Sequence, residues 1–104
     1  MIEDYKGILV IGEIYDGKIR PVTFQLINKA RELADTLKTS ISTVLIGNNI
    51  GEMAKEPIHY GSDKVYVLEH KMFDPYIAEV YSAVLAKFIN QLKPEIVMIP
   101  ATHT

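Results

Sequence analysis

The sequence predicts an α/β fold in which a parallel sheet is layered between helices, and three observations predict it. Four short apolar runs are continuous rather than alternating, as in strands covered on both faces. Stretches of amphipathic helical spacing separate them. The connections are short, which suits right-handed crossovers in the order β-α-β-α-β-α-β.

The first run, Gly7-Ile8-Leu9-Val10-Ile11-Gly12-Glu13-Ile14, reads as a central strand. Tyr15-Asp16-Gly17-Lys18 follows, and its Asp-Gly pair favours a tight primed turn because both central residues need positive φ, so a small ribbon is expected. From Thr23 to Leu37 the residues Leu26, Ile27, Ala30, Leu33, Ala34 and Leu37 keep helical spacing, opposite the polar Asn28, Lys29, Arg31, Glu32 and Asp35. Thr23 is a candidate N-cap, with Pro21 in the first turn as the alternative. Ser42-Thr43-Val44-Leu45-Ile46-Gly47 repeats the buried-strand pattern.

Asn49-Ile50-Gly51-Glu52 has capping-box spacing and predicts a helix start. Pro57 lacks a backbone donor and meets the carbonyl of Met53, so this helix should be short or kinked and end near Tyr60-Gly61, with Gly61 as its left-handed cap. Lys64-Val65-Tyr66-Val67-Leu68-Glu69 is the third strand. Asp74 as N-cap and Pro75 at the first position open the third helix, whose apolar positions are Ile77, Val80, Tyr81, Val84, Leu85, Phe88, Ile89 and Leu92. Ile96-Val97-Met98-Ile99-Pro100 gives the fourth strand. No helix follows it, so the chain reads as cut short, and the bare apolar side of Ile96 to Ile99 predicts self-association.

The chain of 104 residues fits a single domain, 1–104, with a hydrophobic content of 48% and a formal net charge of -2 that together oppose disorder. With 11 Lys+Arg against 13 Asp+Glu, nothing draws it to nucleic acid. The absence of cysteine excludes disulfides, thiolate metal sites and a cysteine nucleophile. No apolar stretch is long enough to span a bilayer, and Met1-Ile2-Glu3-Asp4-Tyr5-Lys6 is acidic where a signal peptide needs positive charge. The expectation is a mature chain that begins here and works in the cytoplasm.

Ligands of open α/β sheets bind beyond the carboxyl ends of the strands, near the point where strand order reverses. That rim comprises Gly12-Glu13-Ile14, Gly47-Asn48-Asn49, Glu69-His70 and Pro100 to Thr104. Its candidate binding residues are Gly12, Glu13, Ala101, Thr102 and His103. No G-x-G-x-x-G or G-x-x-x-x-G-K-[ST] motif accompanies them, and Glu13 would oppose a phosphate. His59, His70 and His103 lack metal-ligand spacing and read as surface or loop residues. Ser40, Ser42, Ser62 and Ser82 read as caps, turn or helix surface, because no strained elbow carries them. Asp16 belongs to the turn rather than to a carboxylate pair with Glu13. Tyr60, Tyr66, Tyr76 and Tyr81 fall where they pack on the core or its margin. No catalytic set emerges.

The joint order of several blocks resembles the alpha subunit of electron transfer flavoprotein. These blocks are Gly7 to Glu13, Pro21-Val22-Thr23, Lys29 to Ala34, Val44 to Gly47, Tyr60 to Val67, Lys93 to Val97 and Pro100-Ala101-Thr102. The resemblance implies the N-terminal α/β domain of such a subunit, a Rossmann-like sheet of the adenine nucleotide alpha hydrolase kind in three layers with strand order 3-2-1-4. It implies an electron carrier rather than an enzyme. Electrons would pass via FAD between flavin dehydrogenases, notably acyl-CoA dehydrogenases, and an acceptor. FAD would sit in a separate C-terminal domain absent from this chain, AMP in the beta subunit, and this part would serve as scaffold and subunit interface of a prokaryotic cytoplasmic heterodimer. Two departures stand out: the family continues past this point with a Gly-Arg-Asp segment, and Pro57 interrupts a helix that the family keeps intact. The rival is an autonomous adenine-nucleotide-binding domain of the stress-protein type, and a plain interaction module is a third reading.

Overall fold

The computed structural model describes residues 5–73 and 76–100. Strands β1 (Ile8–Ile11), β4 (Ile41–Gly47), β5 (Lys64–Glu69) and β6 (Ile96–Met98) form one parallel sheet in the order β5-β4-β1-β6. With the ribbon strands β2 (Ile14–Tyr15) and β3 (Lys18–Ile19) left out of the count, this is the expected order 3-2-1-4. β1 is central and fully buried because neighbours pair with it on both edges and helices cover both faces.

Residue alternation along the strands divides the core. Ile8, Val10 and Ile41 pack with Ile27, Ala30 and Ala34 of α1 (Pro21–Leu37) on one face. Leu9, Ile11, Val44 and Ile46 point the other way, toward Tyr81, Leu85, Phe88, Ile89 and Leu92 of α3 (Ala78–Leu92). A third cluster of Ile19, Leu45 and Ile50 seats the ribbon and the segment around Met53 on the α1 side. Phe73 joins α3 on this second face, and none of the residues of α3 is fully buried. Leu33 and Leu37, expected in the buried stripe of α1, are exposed.

The ribbon forms as its sequence requires: Asp16 and Gly17 have φ of 53° and 73°, and Ile14 pairs with Ile19. At α1 the alternative holds, since Pro21 occupies the first turn and Arg20 is the N-cap. Thr23 lies inside the helix with its hydroxyl committed elsewhere. The capping box at Asn49 does not form. Asn49 adopts φ 59°, a 3-10 turn runs over Gly51–Ala54, and the Glu69 carboxylate at the end of β5 accepts the N–H groups of Ile50 (2.7 Å) and Gly51 (3.3 Å). The donors are thus satisfied from a neighbouring strand rather than locally.

α2 (Lys55–His59) is short, as Pro57 predicts. The change from 3-10 to α geometry at Lys55 puts Pro57 in the first turn, where no N–H is missed. Gly61 follows with φ +119°. Asp74 and Pro75 lie outside the described residues, but Tyr76 and Ile77 precede the helix, which opens at Ala78, later than the sequence suggests. The extended backbone of Ile77 (φ -125°, ψ 114°) places the start.

Candidate functional site

The point where strand order reverses lies between β1 and β6, whose register pairs Val10 with Met98 and carries Gly12 toward Pro100. Of the candidate residues, Gly12 and Glu13 are described there. Ala101, Thr102 and His103 lie outside the described residues.

Gly12 closes β1 by donating its N–H to Val44 O at 2.9 Å. A Cβ on it would collide with Leu45 Cδ2 and come within 3.1 Å of Val44 O. Its φ is not positive, so packing rather than backbone conformation calls for glycine. The position that a side chain on Gly12 would take is filled by Leu45.

Glu13 has both backbone groups claimed. Its N–H donates to Thr23 Oγ1 (2.9 Å), and its carbonyl accepts the Arg20 N–H (2.8 Å), so the first turn of α1 and the exit from the ribbon both lock onto it. Its carboxylate lies 3.7 Å from Arg20 Nε, while the Arg20 guanidinium stands 5.4 Å from the ring centroid of Tyr15. Tyr81 approaches from α3, paired edge-on with Tyr76 at 5.3 Å. Burial first, then Tyr76 and the Glu13 charge, push the Tyr81 phenol above its ordinary pKa.

The rest of the rim closes on itself. His70 donates its N–H to Gly47 O (3.1 Å) and accepts the Met72 N–H at Nδ1 (3.0 Å), a structural use of the ring. His59 is an exposed residue at the end of α2. An open cleft of about 620 Å³ beside the ribbon is lined by Gly51 and by Glu52, Glu56 and Glu69, three acids that repel phosphate. Among the described residues no cluster of His, Asp or Glu could hold a metal ion, and no buried side-chain polar atom lacks a partner.

Tyr60, Tyr66 and Tyr81 sit at the margin of the core, whereas Tyr76, expected there too, is exposed. Tyr60 stacks on Phe24 at 4.1 Å, and Tyr66 meets Phe88 edge-on at 5.1 Å. Ser62, read from sequence as cap or turn, is buried: it accepts from Thr43 Oγ1 (2.9 Å) and donates to Lys64 O (2.7 Å). Sequence reasoning also missed the clamp in which Arg31 reaches Gly61 O (2.9 Å) and Asp63 (3.3 Å) while Asp63 Oδ2 accepts the Ile41 N–H (2.8 Å). These partners lie 22 to 32 residues apart, beyond any local pattern.

What the carboxyl end does present is apolar surface. Tyr15, Met72, Tyr76, Ile77 and Ile99 all stand exposed in segments that follow strand ends, with Tyr15 at 69%, Tyr76 at 68% and Ile99 at 65%. Side chains of this size left open at one end of a sheet suit protein contact better than a small polar ligand.

A family model described as the electron transfer flavoprotein domain matches residues 8–104. The chain is similar to the electron transfer flavoprotein subunit alpha of Megasphaera elsdenii, with 37% identity over 102 residues, 98% of this chain and 30% of that protein. It is 41% identical over 99 residues to the LctC subunit of lactate dehydrogenase (NAD(+),ferredoxin) from Acetobacterium woodii, covering 95% of this chain and 24% of that one. The alpha subunit of Bacillus subtilis is 39% identical over 97 residues, 93% of this chain and 29% of its own length. The chain therefore spans less than a third of these curated relatives. Among the described residues no helix is long and apolar enough to cross a membrane.

Proposed function

The chain belongs to the electron transfer flavoprotein domain family, and from that premise we propose that it forms the N-terminal α/β domain of an alpha subunit, a scaffold that meets a beta subunit and helps frame a flavin domain. In this reading FAD carries electrons between flavin dehydrogenases and an acceptor in the cytoplasm, AMP belongs to the partner subunit, and these residues catalyse no step of their own.

The observation that carries the reading is the occupied carboxyl-end rim. Leu45 fills the space over Gly12, Glu13 has both backbone groups engaged, and the neighbouring cleft is acidic. The described residues therefore do not fit a flavin diphosphate, which needs free N–H groups and room for close backbone approach. The exposed Tyr15, Tyr76 and Ile77 at the same end supply contact area instead. Among the described residues β6 pairs only with β1 and leads to the exposed Ile99, so the isolated chain self-associates along this edge in the same reading.

Co-expression with a family beta subunit and a C-terminal flavin domain tests the assignment. The complex should be yellow, and Tyr15→Glu with Tyr76→Glu should weaken its assembly. The isolated chain should be colourless, without saturable FAD binding, and light scattering should detect its self-association. Millimolar-range AMP or ATP should leave its melting temperature unchanged; a rise would favour the autonomous nucleotide-binding reading, because a ligand selective for the native state stabilises it.

A further inference from the structure

The opposite, amino end of the sheet holds a polar pocket of about 150 Å³ whose lining includes Lys6, Gly7, Ser40, Ser42, Lys64 and Tyr66. Its origin lies in where α3 stops. Leu9, Ser42 and Lys64 form one row across β1, β4 and β5, and Leu9 belongs to the face that α3 covers. The helix ends at Leu92 and the chain turns away through Lys93 in a left-handed conformation, so Ser42 and Lys64 stay partly open at the end of the apolar stripe.

Two further features complete the pocket. Lys6 is tethered at its rim by its own N–H, which donates to Lys93 O at 3.0 Å. Gly7, at φ +85°, lets the backbone pass close to Ser40, whose Oγ would lie 3.5 Å from a Cβ there. Among the described residues that line it, Lys6 and Lys64 are the charged ones, and none carries a carboxylate. The acid next in sequence to Lys64, Asp63, is taken up by Arg31 and the Ile41 N–H. Thr43 and Ser62 spend their hydroxyls inside the fold, whereas among the described residues those of Ser40 and Ser42 have no internal partner.

We propose that this pocket binds a small oxyanion of the phosphate class, held by the ammonium groups of Lys6 and Lys64 and by the hydroxyls of Ser40 and Ser42. The volume takes one tetrahedral anion with a few waters, each needing about 30 Å³, and is too small for a nucleotide. Two ammonium groups and two hydroxyl donors match the charge and the acceptor chemistry of such an anion. The inference is independent of the flavoprotein reading, because the residues lie at the other end of the strands from the rim.

The test is an amide NMR titration of the chain with inorganic phosphate at constant ionic strength. Saturable shifts centred on Gly7, Ser40, Ser42 and Lys64 are expected. The Lys6→Gln/Lys64→Gln variant, altered only at exposed side chains, should keep the remaining spectrum and bind about tenfold more weakly. Glycerol phosphate distinguishes the source: binding as tight as phosphate assigns a phosphate ester, and weaker binding assigns the free anion. Shifts that rise without saturation, spread over all lysine-bearing surfaces, follow chloride equally or survive in the variant would overturn the proposal.

Discussion

Replacing Gly12 by alanine separates packing from ligand approach as the reason for this glycine. The new methyl would run into Leu45 Cδ2 and lie 3.1 Å from Val44 O, while the backbone, not being at positive φ, adds no strain. Overpacking of this kind costs about 2 kcal/mol, offset by about 0.5 kcal/mol from the stiffer unfolded chain. In a domain of this size that lowers the melting temperature by roughly 10 °C. Leu45 is fully buried, and Leu45→Ala alone should cost about 3 kcal/mol through lost burial and the cavity it leaves. The double variant is the decisive measurement, since the methyl introduced by Gly12→Ala would then occupy part of that cavity. Urea unfolding followed by circular dichroism should give a cycle in which the double variant is about 1.5 kcal/mol more stable than the sum of the singles predicts. Additivity to within about 0.5 kcal/mol, or a neutral Gly12→Ala, would refute the packing account.

Three other perturbations test the elements around the rim. Glu69→Ala should cost about 1 kcal/mol by leaving the Ile50 and Gly51 donors to water, with Glu69→Gln, which keeps an acceptor, costing less in the same urea assay. Lys38 caps α1 at φ 57°, so Lys38→Gly should stabilise by about 0.5 kcal/mol, the left-handed strain removed being only partly cancelled by a looser unfolded chain. Because burial, Tyr76 and Glu13 raise the folded pKa of Tyr81 above the unfolded value, its contribution is complete below about pH 10 and is lost as pH rises through the folded pKa. Tyr81→Phe should flatten this alkaline arm of stability against pH, which thermal melts would read.

The main sheet was legible because its signals are local: continuous apolar runs marked the strands, and the Asp16-Gly17 pair marked the ribbon with both residues at positive φ. Capping was less so. Asn49 and Glu52 have the right spacing, yet Glu69 offered an acceptor already fixed at a strand end, and a partner brought in by tertiary structure overrode the local pair. Thr23 likewise lost its expected role once the N–H of Glu13 approached its hydroxyl. The rim glycine was found by sequence but not its cause, since only the assembled sheet brings the Leu45 side chain over Gly12. Similarly, the amino-end pocket follows from where α3 stops relative to the row through Ser42, a distance that no sequence window contains.

The register Ile8↔Ile96 means that the central strand finds one neighbour, β4, after a single helix and the other, β6, only after nearly the whole chain. During synthesis from the amino end, β1, β4 and β5 can therefore pair while one edge of β1 still presents unsatisfied N–H and C=O groups. The pairing of β1 with β6 is the most non-local of the sheet, so docking of β6 should come late in folding. For that interval the most buried strand of the finished domain is also its most vulnerable surface, and a chaperone or a faithful partner arriving early would have most to protect there.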